Sequence, residues 1–505
     1  MRRSAARYLG TDHLRHNLVQ RSVRGGLAIL LSQHAKALID LAAQLALARI
    51  LAPSDFGLVA MVLVVTRFAA LFVDLGLSTA TIQRETLTGE QISALFWVNV
   101  LVGGALAVLL VAIAPVVAWL YGEPRLIGIL AVSASAMIFA ALTVQHQALL
   151  QRQMQFTILA IIGVVAVTLA AVVAVALALR GAGYWSLVVM HLTYSATMAV
   201  GVWTTCAWRP RWVPKLSGVR SMLAFGGNLT GFDLVDYAAR NVDRVLVGGF
   251  WGAQWVGLYA QAVELYNSPI KQINAPVAQV TVPALSRLQN DPGAFRRYYL
   301  KSLSSVLVLA TPITALLLVL APEFIAVFLG PKWLEAAPIL RCLAVCGLVQ
   351  PILNTTQWLF RAMGRARQLL RWGLCAAVAS SIALLIGLPL GVRTMALCYT
   401  VCTLLLTVPC VRYAIRATSV TSWDVWKTSA RPLASALLAA CPAVALKLWL
   451  GPHWPLWAVL VVAASSLVIT YAVTMFFAMG MTRYLSFHRP CKLQYSRADT
   501  SSESV

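Results

Sequence analysis

Charge is scarce in this sequence, and acid scarcer still: Asp, Glu, Lys and Arg make up 11% of the 505 residues, and only 17 residues are acidic. Soluble proteins carry about 25% charged residues, so a soluble fold is excluded. The usual signatures of metal and hydrolase chemistry are missing as well. Seven histidines form no HExxH pair, and nine cysteines include no CxxC pair and no histidine at ligand spacing. No GxSxG elbow or phosphate-binding glycine loop occurs. A zinc site and a catalytic role are therefore not expected. The cysteines fall almost entirely within apolar runs, with Cys342/Cys346 and Cys398/Cys402 at helical i, i+4 spacing. They read as small packing residues between helices. A cleavable leader is not expected either, because residues 1–26 hold six arginines and no apolar core. They read as a basic cytoplasmic tail.

What the chain does have is hydrocarbon, with 60% of its residues apolar or aromatic. A helix that crosses a bilayer takes about 20 such residues. Fourteen apolar stretches, from 27–50 to 455–479, are long enough. The least apolar are the first, seventh and eighth. The fold class expected is an all-α polytopic membrane protein of about 14 transmembrane helices. The expected division is a tail at 1–26, an N-lobe of six spans at 27–217, a C-lobe of six at 218–415, two extra helices at 416–480 and a second tail at 481–505.

The net charge of +23 would suit a nucleic-acid binder, but its distribution points elsewhere. With the N-terminus placed in the cytoplasm, loops and tails on that side hold 28 Lys and Arg, and the loops of the other side hold Arg125, Arg180, Lys332 and Arg393. Such a bias sets orientation and suits anionic headgroups, so membrane lipids and not nucleic acid are the expected partners. Both termini are expected to be cytoplasmic, in a bacterial inner membrane. The loops on the opposite side are short, which leaves little room for a membrane glycosyltransferase or polymerase site.

A shift of 200 residues brings the chain onto itself. Gly57-Leu58-Val59-Ala60 falls on Gly257-Leu258-Tyr259-Ala260, and Gln33, Lys36, Asp40 and Gln44 fall on Asp233, Asp236, Arg240 and Arg244. Six spans separate the equivalents, so the halves share one orientation, as in transporters whose two bundles rock about a central site.

Charges inside spans cost about 2.5–3.5 kcal/mol each and normally face a cavity or a partner. Lys36, Arg67, Arg240, Arg244 and Lys271 are the cations, and Asp40, Asp74, Asp233, Asp236, Asp243 and Glu264 the acids. On span 1 the polar residues occupy an arc of about 80°, and on span 7 one of about 100°. Asp236/Arg240 and Arg240/Asp243 are spaced to pair. The five cations are suited to hold a phosphate-type anion, arginine through its planar donor fork. Asp40, Asp233, Asp236 and Glu264 are suited to hold a coupling H+ or Na+, and no other cofactor is expected. Asp74 and Asp243, near span ends, read as structural. His34 reads as a satisfied polar residue, and His146 and His191 as interface residues near span ends.

The run Leu47-Ala48-Arg49-Ile50-Leu51-Ala52-Pro53-Ser54-Asp55-Phe56-Gly57-Leu58, followed by Asp74-Leu75-Gly76-Leu77-Ser78, resembles the start of bacterial polysaccharide transporters. These are the Wzx-type oligosaccharide flippases of the multidrug/oligosaccharidyl-lipid/polysaccharide superfamily. Asp243-Arg244-Val245-Leu246-Val247-Gly248, Gly257-Leu258-Tyr259-Ala260 and Pro283-Ala284-Leu285-Ser286 are similar to the same family. The resemblance covers residues 27–415. It implies two six-helix lobes plus two helices, and carriage of a polyprenyl-diphosphate-linked oligosaccharide repeat unit by alternating access, beside a polysaccharide polymerase machinery. It assigns no individual charge to the substrate. The alternatives are a peptidoglycan-precursor flippase and a multidrug exporter of the same fold, which should favour acidic and aromatic cavity residues over five cations.

Overall fold

The computed structural model describes residues 18–74, 76–84, 88–212, 220–416 and 418–479. Side chains are described from residue 25 onward, except those of 83, 220–236, 238–240, 478 and 479. The expected tails fall outside the described residues apart from the start of the first helix. Every regular element among the described residues is helical: α1 (Leu18–Ile50), α2 (Pro53–Asp74), α3 (Leu77–Gln83), α4 (Gly89–Tyr121), α5 (Arg125–Arg152), α6 (Phe156–Leu179), α7 (Trp185–Thr205), α8 (Arg220–Arg287), α9 (Pro292–Val319), α10 (Ala321–Phe328), α11 (Ala336–Ala362), α12 (Ala366–Gly387), α13 (Val392–Ile415), α14 (Ser422–Leu450) and α15 (Leu456–Met479). Short 3₁₀ turns at Pro331–Trp333 and Leu388–Leu390 complete the set.

Twelve helical segments among the described residues are long and apolar enough to cross a membrane. The seventh and eighth expected spans are not among them, because both lie on the charged helix α8. A straight helix of 68 residues would run about 100 Å, far beyond a bilayer core of about 30 Å. The chain instead turns back at Gly252, whose φ of 76° lies in the left-handed region that favours glycine. The Tyr259 hydroxyl donates to Asp243 Oδ2 at 3.0 Å. Sixteen residues of straight helix would separate those residues by about 24 Å, so the two arms of α8 run antiparallel.

This turn repeats the one between α1 and α2, and the 200-residue register places position 52 on Gly252. The two hairpins meet at their equivalent glycines. A Cβ at Gly57 would lie 1.7 Å from the Ala253 carbonyl oxygen, and a Cβ at Gly257 would lie 1.9 Å from that of Pro53. Since 53 maps onto 253 and 57 onto 257, the contact maps onto itself, which is the geometry of a pseudo-two-fold axis. The four-residue match thus marks a pair of hairpins that meet symmetrically.

Local capping chemistry sets where helices begin. Thr88 and Gln91 form a reciprocal capping box on α4, and Thr421 and Asp424 form one on α14. Asp291 caps α9 through the Ala294 amide at 2.9 Å, with Pro292 at the first helical position. At the turn after α4, the Arg125 guanidinium hydrogen-bonds Glu123 at 2.7 Å and holds its carboxyl below the usual range.

The chain divides into two compact units, Met1–Ser268 with Ala321–Cys346 and Gly364–Cys410, and Pro269–Leu320 with Gly347–Met363 and Val411–Val505. In the first unit α1 packs on α6, α6 on α7, and α5 on α2, α3, α4 and α7. Buried polar groups there are joined in a chain: Thr81 donates to Gln145 at 2.9 Å, Gln145 to Asn99 at 2.9 Å, and Asn99 to the Val73 carbonyl at 2.5 Å. That carbonyl lies at the break between α2 and α3, where Asp74 caps α3 through the Ser78 amide at 2.8 Å and hydroxyl at 2.6 Å. Arg152 closes the far end of α3 on the carbonyls of Thr81, Ile82 and Arg84.

In the second unit α14 and α15 pack on α9. Arg296 forms a two-point pair with Asp424, one bond at 2.8 Å. Thr311 meets the Tyr471 hydroxyl at 3.0 Å, and Lys447 donates to the Val319 carbonyl at 3.0 Å. The two extra helices are therefore fastened along the ninth span.

Candidate anion site

The polar stripe of α1 places Lys36 and Asp40 one turn apart, both half-buried. Lys36 lies over α6, where a Cβ at Gly163 would stand 3.2 Å from its Nζ. The charges of Lys36 and of Glu264 on α8 act on Asp40, and Asp40 in turn acts on Tyr194 of α7. Among the described residues, that end of the cluster holds one ammonium and two carboxylates.

The other end is cationic. Tyr237 on α8 donates to the Val64 carbonyl at 3.0 Å, which fastens the first arm of α8 to α2. Phe68 lies against the Tyr237 ring with centroids 6.1 Å apart. Arg67 and Arg244 both act on Tyr237, and Arg67 also acts on His191 of α7. Arg244 donates through Nη1 to Asn241 at 3.2 Å, while its buried Nε has no partner among the described residues. A buried donor without an acceptor costs about 1–3 kcal/mol, so an anion arriving there would be strongly favoured. Arginine also offers a planar fork that matches phosphate.

The structure therefore brings Lys36, Asp40, Arg67, Arg244 and Glu264 into one neighbourhood, on helices from both halves of the repeat. The side chains of Asp233, Asp236 and Arg240 lie outside the described residues. Lys271 is exposed and belongs to the second unit. Asp243 is held by Tyr259 and by the Arg244 amide at 2.8 Å, a structural role like that of Asp74. His34 donates through Nδ1 to the Leu30 carbonyl at 2.8 Å.

Two histidines depart from their reading as interface residues. His146 is fully buried, stacked on Trp203 at 4.5 Å and edged by Trp208 and Phe96. It is core. His191 faces Arg67 within the polar cluster, joined by Tyr194 three residues on. The sequence signal for the second is the i, i+3 spacing of His191 and Tyr194 on one helix.

The described residues thus form an all-helical membrane fold with a polar cluster among its spans. Residues 46–338 match the sequence profile of the family described as polysaccharide biosynthesis protein. The chain belongs to that family, as the resemblance to Wzx-type transporters implies. It is 28% identical over 328 residues to the teichuronic acid biosynthesis protein TuaB of Bacillus subtilis, covering 64% of this chain and 66% of the relative, a little under two thirds. It is 26% identical over 421 residues to the succinoglycan biosynthesis transport protein ExoT of Rhizobium meliloti, covering 81% of this chain and 83% of the relative. Among solved structures, the lipid II flippase MurJ in an inward closed conformation superposes with a TM-score of 0.73 at 14% identity, covering 91% of this chain and 99% of that one. That likeness establishes the fold.

Proposed function

We propose that this protein is a flippase that carries a polyprenyl-diphosphate-linked oligosaccharide repeat unit across the bacterial inner membrane, for exopolysaccharide, capsule or O-antigen synthesis. The observation that carries the reading is the pair of guanidinium groups, Arg67 and Arg244, gathered around Tyr237 inside the membrane-spanning region. The relatives' names, teichuronic acid biosynthesis and succinoglycan transport, support a polysaccharide precursor over a drug. A charged head cannot cross hydrocarbon unaided, so it needs a polar path, while its lipid tail stays in the bilayer.

In this reading the head enters from the cytoplasmic side, the diphosphate meets Arg67 and Arg244, and rocking of lobes 27–217 and 218–415 exposes it to the outer side. Both termini are cytoplasmic, and a polysaccharide polymerase receives the product. The protein moves its substrate without forming or breaking a bond. Deleting the gene should cause a complete, unpolymerised lipid-linked repeat unit to accumulate on the inner leaflet, read by mass spectrometry of extracted lipids. A repeat unit missing a sugar would reject the reading in favour of a transferase, and an accumulating peptidoglycan precursor would reject it in favour of that rival.

Asp40 and Glu264 bind the coupling ion in this scheme, since two carboxylates beside one ammonium leave a negative charge for H+ or Na+ to neutralise. Dissipating the proton and sodium gradients in proteoliposomes should lower the transport rate at least ~10-fold. An unchanged rate would remove coupling from the scheme.

A further inference from the structure

The last carbonyls of a helix have no partner within it. At the end of α1 two of them are taken from outside. The Ala48 carbonyl accepts from the buried Trp333 indole at 2.8 Å, and the Arg49 carbonyl accepts from Lys332 Nζ at 3.0 Å. Lys332 and Trp333 follow directly on α10, and the end of α10 is treated in the same way. Its Phe328 carbonyl accepts from Arg49 Nε at 3.2 Å, and its Val327 carbonyl accepts from Arg49 Nη2. Each helix end is thus capped by a side chain that belongs to the other. The Phe56 ring closes edge-on over Trp333 at 5.2 Å.

The two ends belong to opposite halves of the repeat, the first span of one half and the third span of the other. The corresponding pair of elements in the other halves, the first arm of α8 and the end of α4, meets elsewhere in register, at Gly248 and the ring of Tyr121, where a Cβ would stand 2.5 Å from the ring, with Met61 beside it. That contact is apolar. One crossing is therefore greased and the other is polar and can be undone. Helix C-termini carry partial negative charge, so without Arg49 and Lys332 two like ends would face each other. The cations turn a repulsion into an attachment.

We propose that this reciprocal cap is a latch that holds the outward end of the substrate path closed, and that its release accompanies outward opening. The word outward rests on the flippase reading and its orientation. Water beyond the latch competes for the same carbonyls, so the bonds can exchange without leaving a polar group bare.

The test places a cysteine at Gln44, one turn inside the latch on the polar face of α1, and labels intact cells with a membrane-impermeant maleimide. Labelling is counted above that of the same protein without the added cysteine. The strain lacks the sugar-lipid pathway, so the outcome does not depend on any substrate. With Gln44→Cys alone labelling should be low. Adding Arg49→Ala with Lys332→Ala should raise it about tenfold, and Arg49→Lys with native Lys332 should return it to the low level. Trp333→Phe keeps an aromatic ring but loses the indole donor and part of the buried ring system, so its labelling is read per unit of inserted protein; it should give an intermediate rise. Unchanged labelling in both the double variant and Trp333→Phe would overturn the latch, as would full labelling of Gln44→Cys with the latch intact. Failure of the flippase reading would appear instead in the lipid analysis of the deletion strain.

Discussion

Alanine at Arg67 and Arg244 together is expected to lower polymer export at least ~100-fold while leaving membrane insertion intact. A hydrogen bond to a charged group contributes about 1.5–3 kcal/mol, and each 1.4 kcal/mol is a factor of ten. Loss of one such bond from each arginine thus gives a factor of about 100 or more. Among the described residues, the buried Nε of Arg244 has no hydrogen-bond partner. Removal of both guanidinium groups leaves Lys36 as the cation of the cluster among the described residues, and Asp243 keeps its bonds to the Tyr259 hydroxyl and the residue 244 amide. Lysine at both positions keeps the charge and loses the fork, so partial recovery is expected. Exported polymer per unit of inserted protein is the measurement, and normal yield from the double alanine variant would remove the cluster from the transport path.

Gly57→Ala is the second large effect. The added Cβ would lie 1.7 Å from the Ala253 carbonyl oxygen, against a contact distance of about 3.3–3.6 Å for carbon and oxygen. The hairpins must separate by more than an ångström where their backbones meet. Gly257→Ala meets the Pro53 carbonyl in the same way at 1.9 Å and should behave alike. Either substitution is expected to lower transport at least ~10-fold and to depress the melting temperature in detergent. Gly104→Ala is the control, because nothing lies within 4 Å of its Cβ position; helix propensity alone would make it stabilising by up to about 1 kcal/mol. If Gly57→Ala melts and transports like Gly104→Ala, the close approach has no mechanical role.

Most of the fold could be read from the chain because membrane spans are long and chemically uniform. The charged arms of α8 are the exception, and they were legible only through the argument that charge within a span marks a functional face. The repeat was readable because glycine at 57 and 257 is demanded by contact, so chemistry kept the letters alike. The site was legible as a set of charges and not as an arrangement. A helical wheel gives the direction of Lys36 or Arg67 around its own axis, but not which neighbour it meets. Hence Lys271 looked equivalent to Arg244 yet lies in the other compact unit, and the tie of Tyr237 to the Val64 carbonyl, which brings α8 against α2, left no pattern. His191 reads in sequence as an interface residue because one histidine in an apolar helix has the same local signature whether it faces a guanidinium or a headgroup. His146 shares that signature and is core.

The self-mapping of the 57–253 and 257–53 contacts bears on how such chains can be recombined. Two codons two hundred positions apart encode one fit, so the first hairpin of this protein is matched to its own distant partner and to no arbitrary relative. A chimera joined between residues 217 and 218 inherits one glycine from each parent, and it can close only where both parents bring the backbone equally near. Modularity in this architecture is therefore bounded by that crossing, whatever sugar either parent carries.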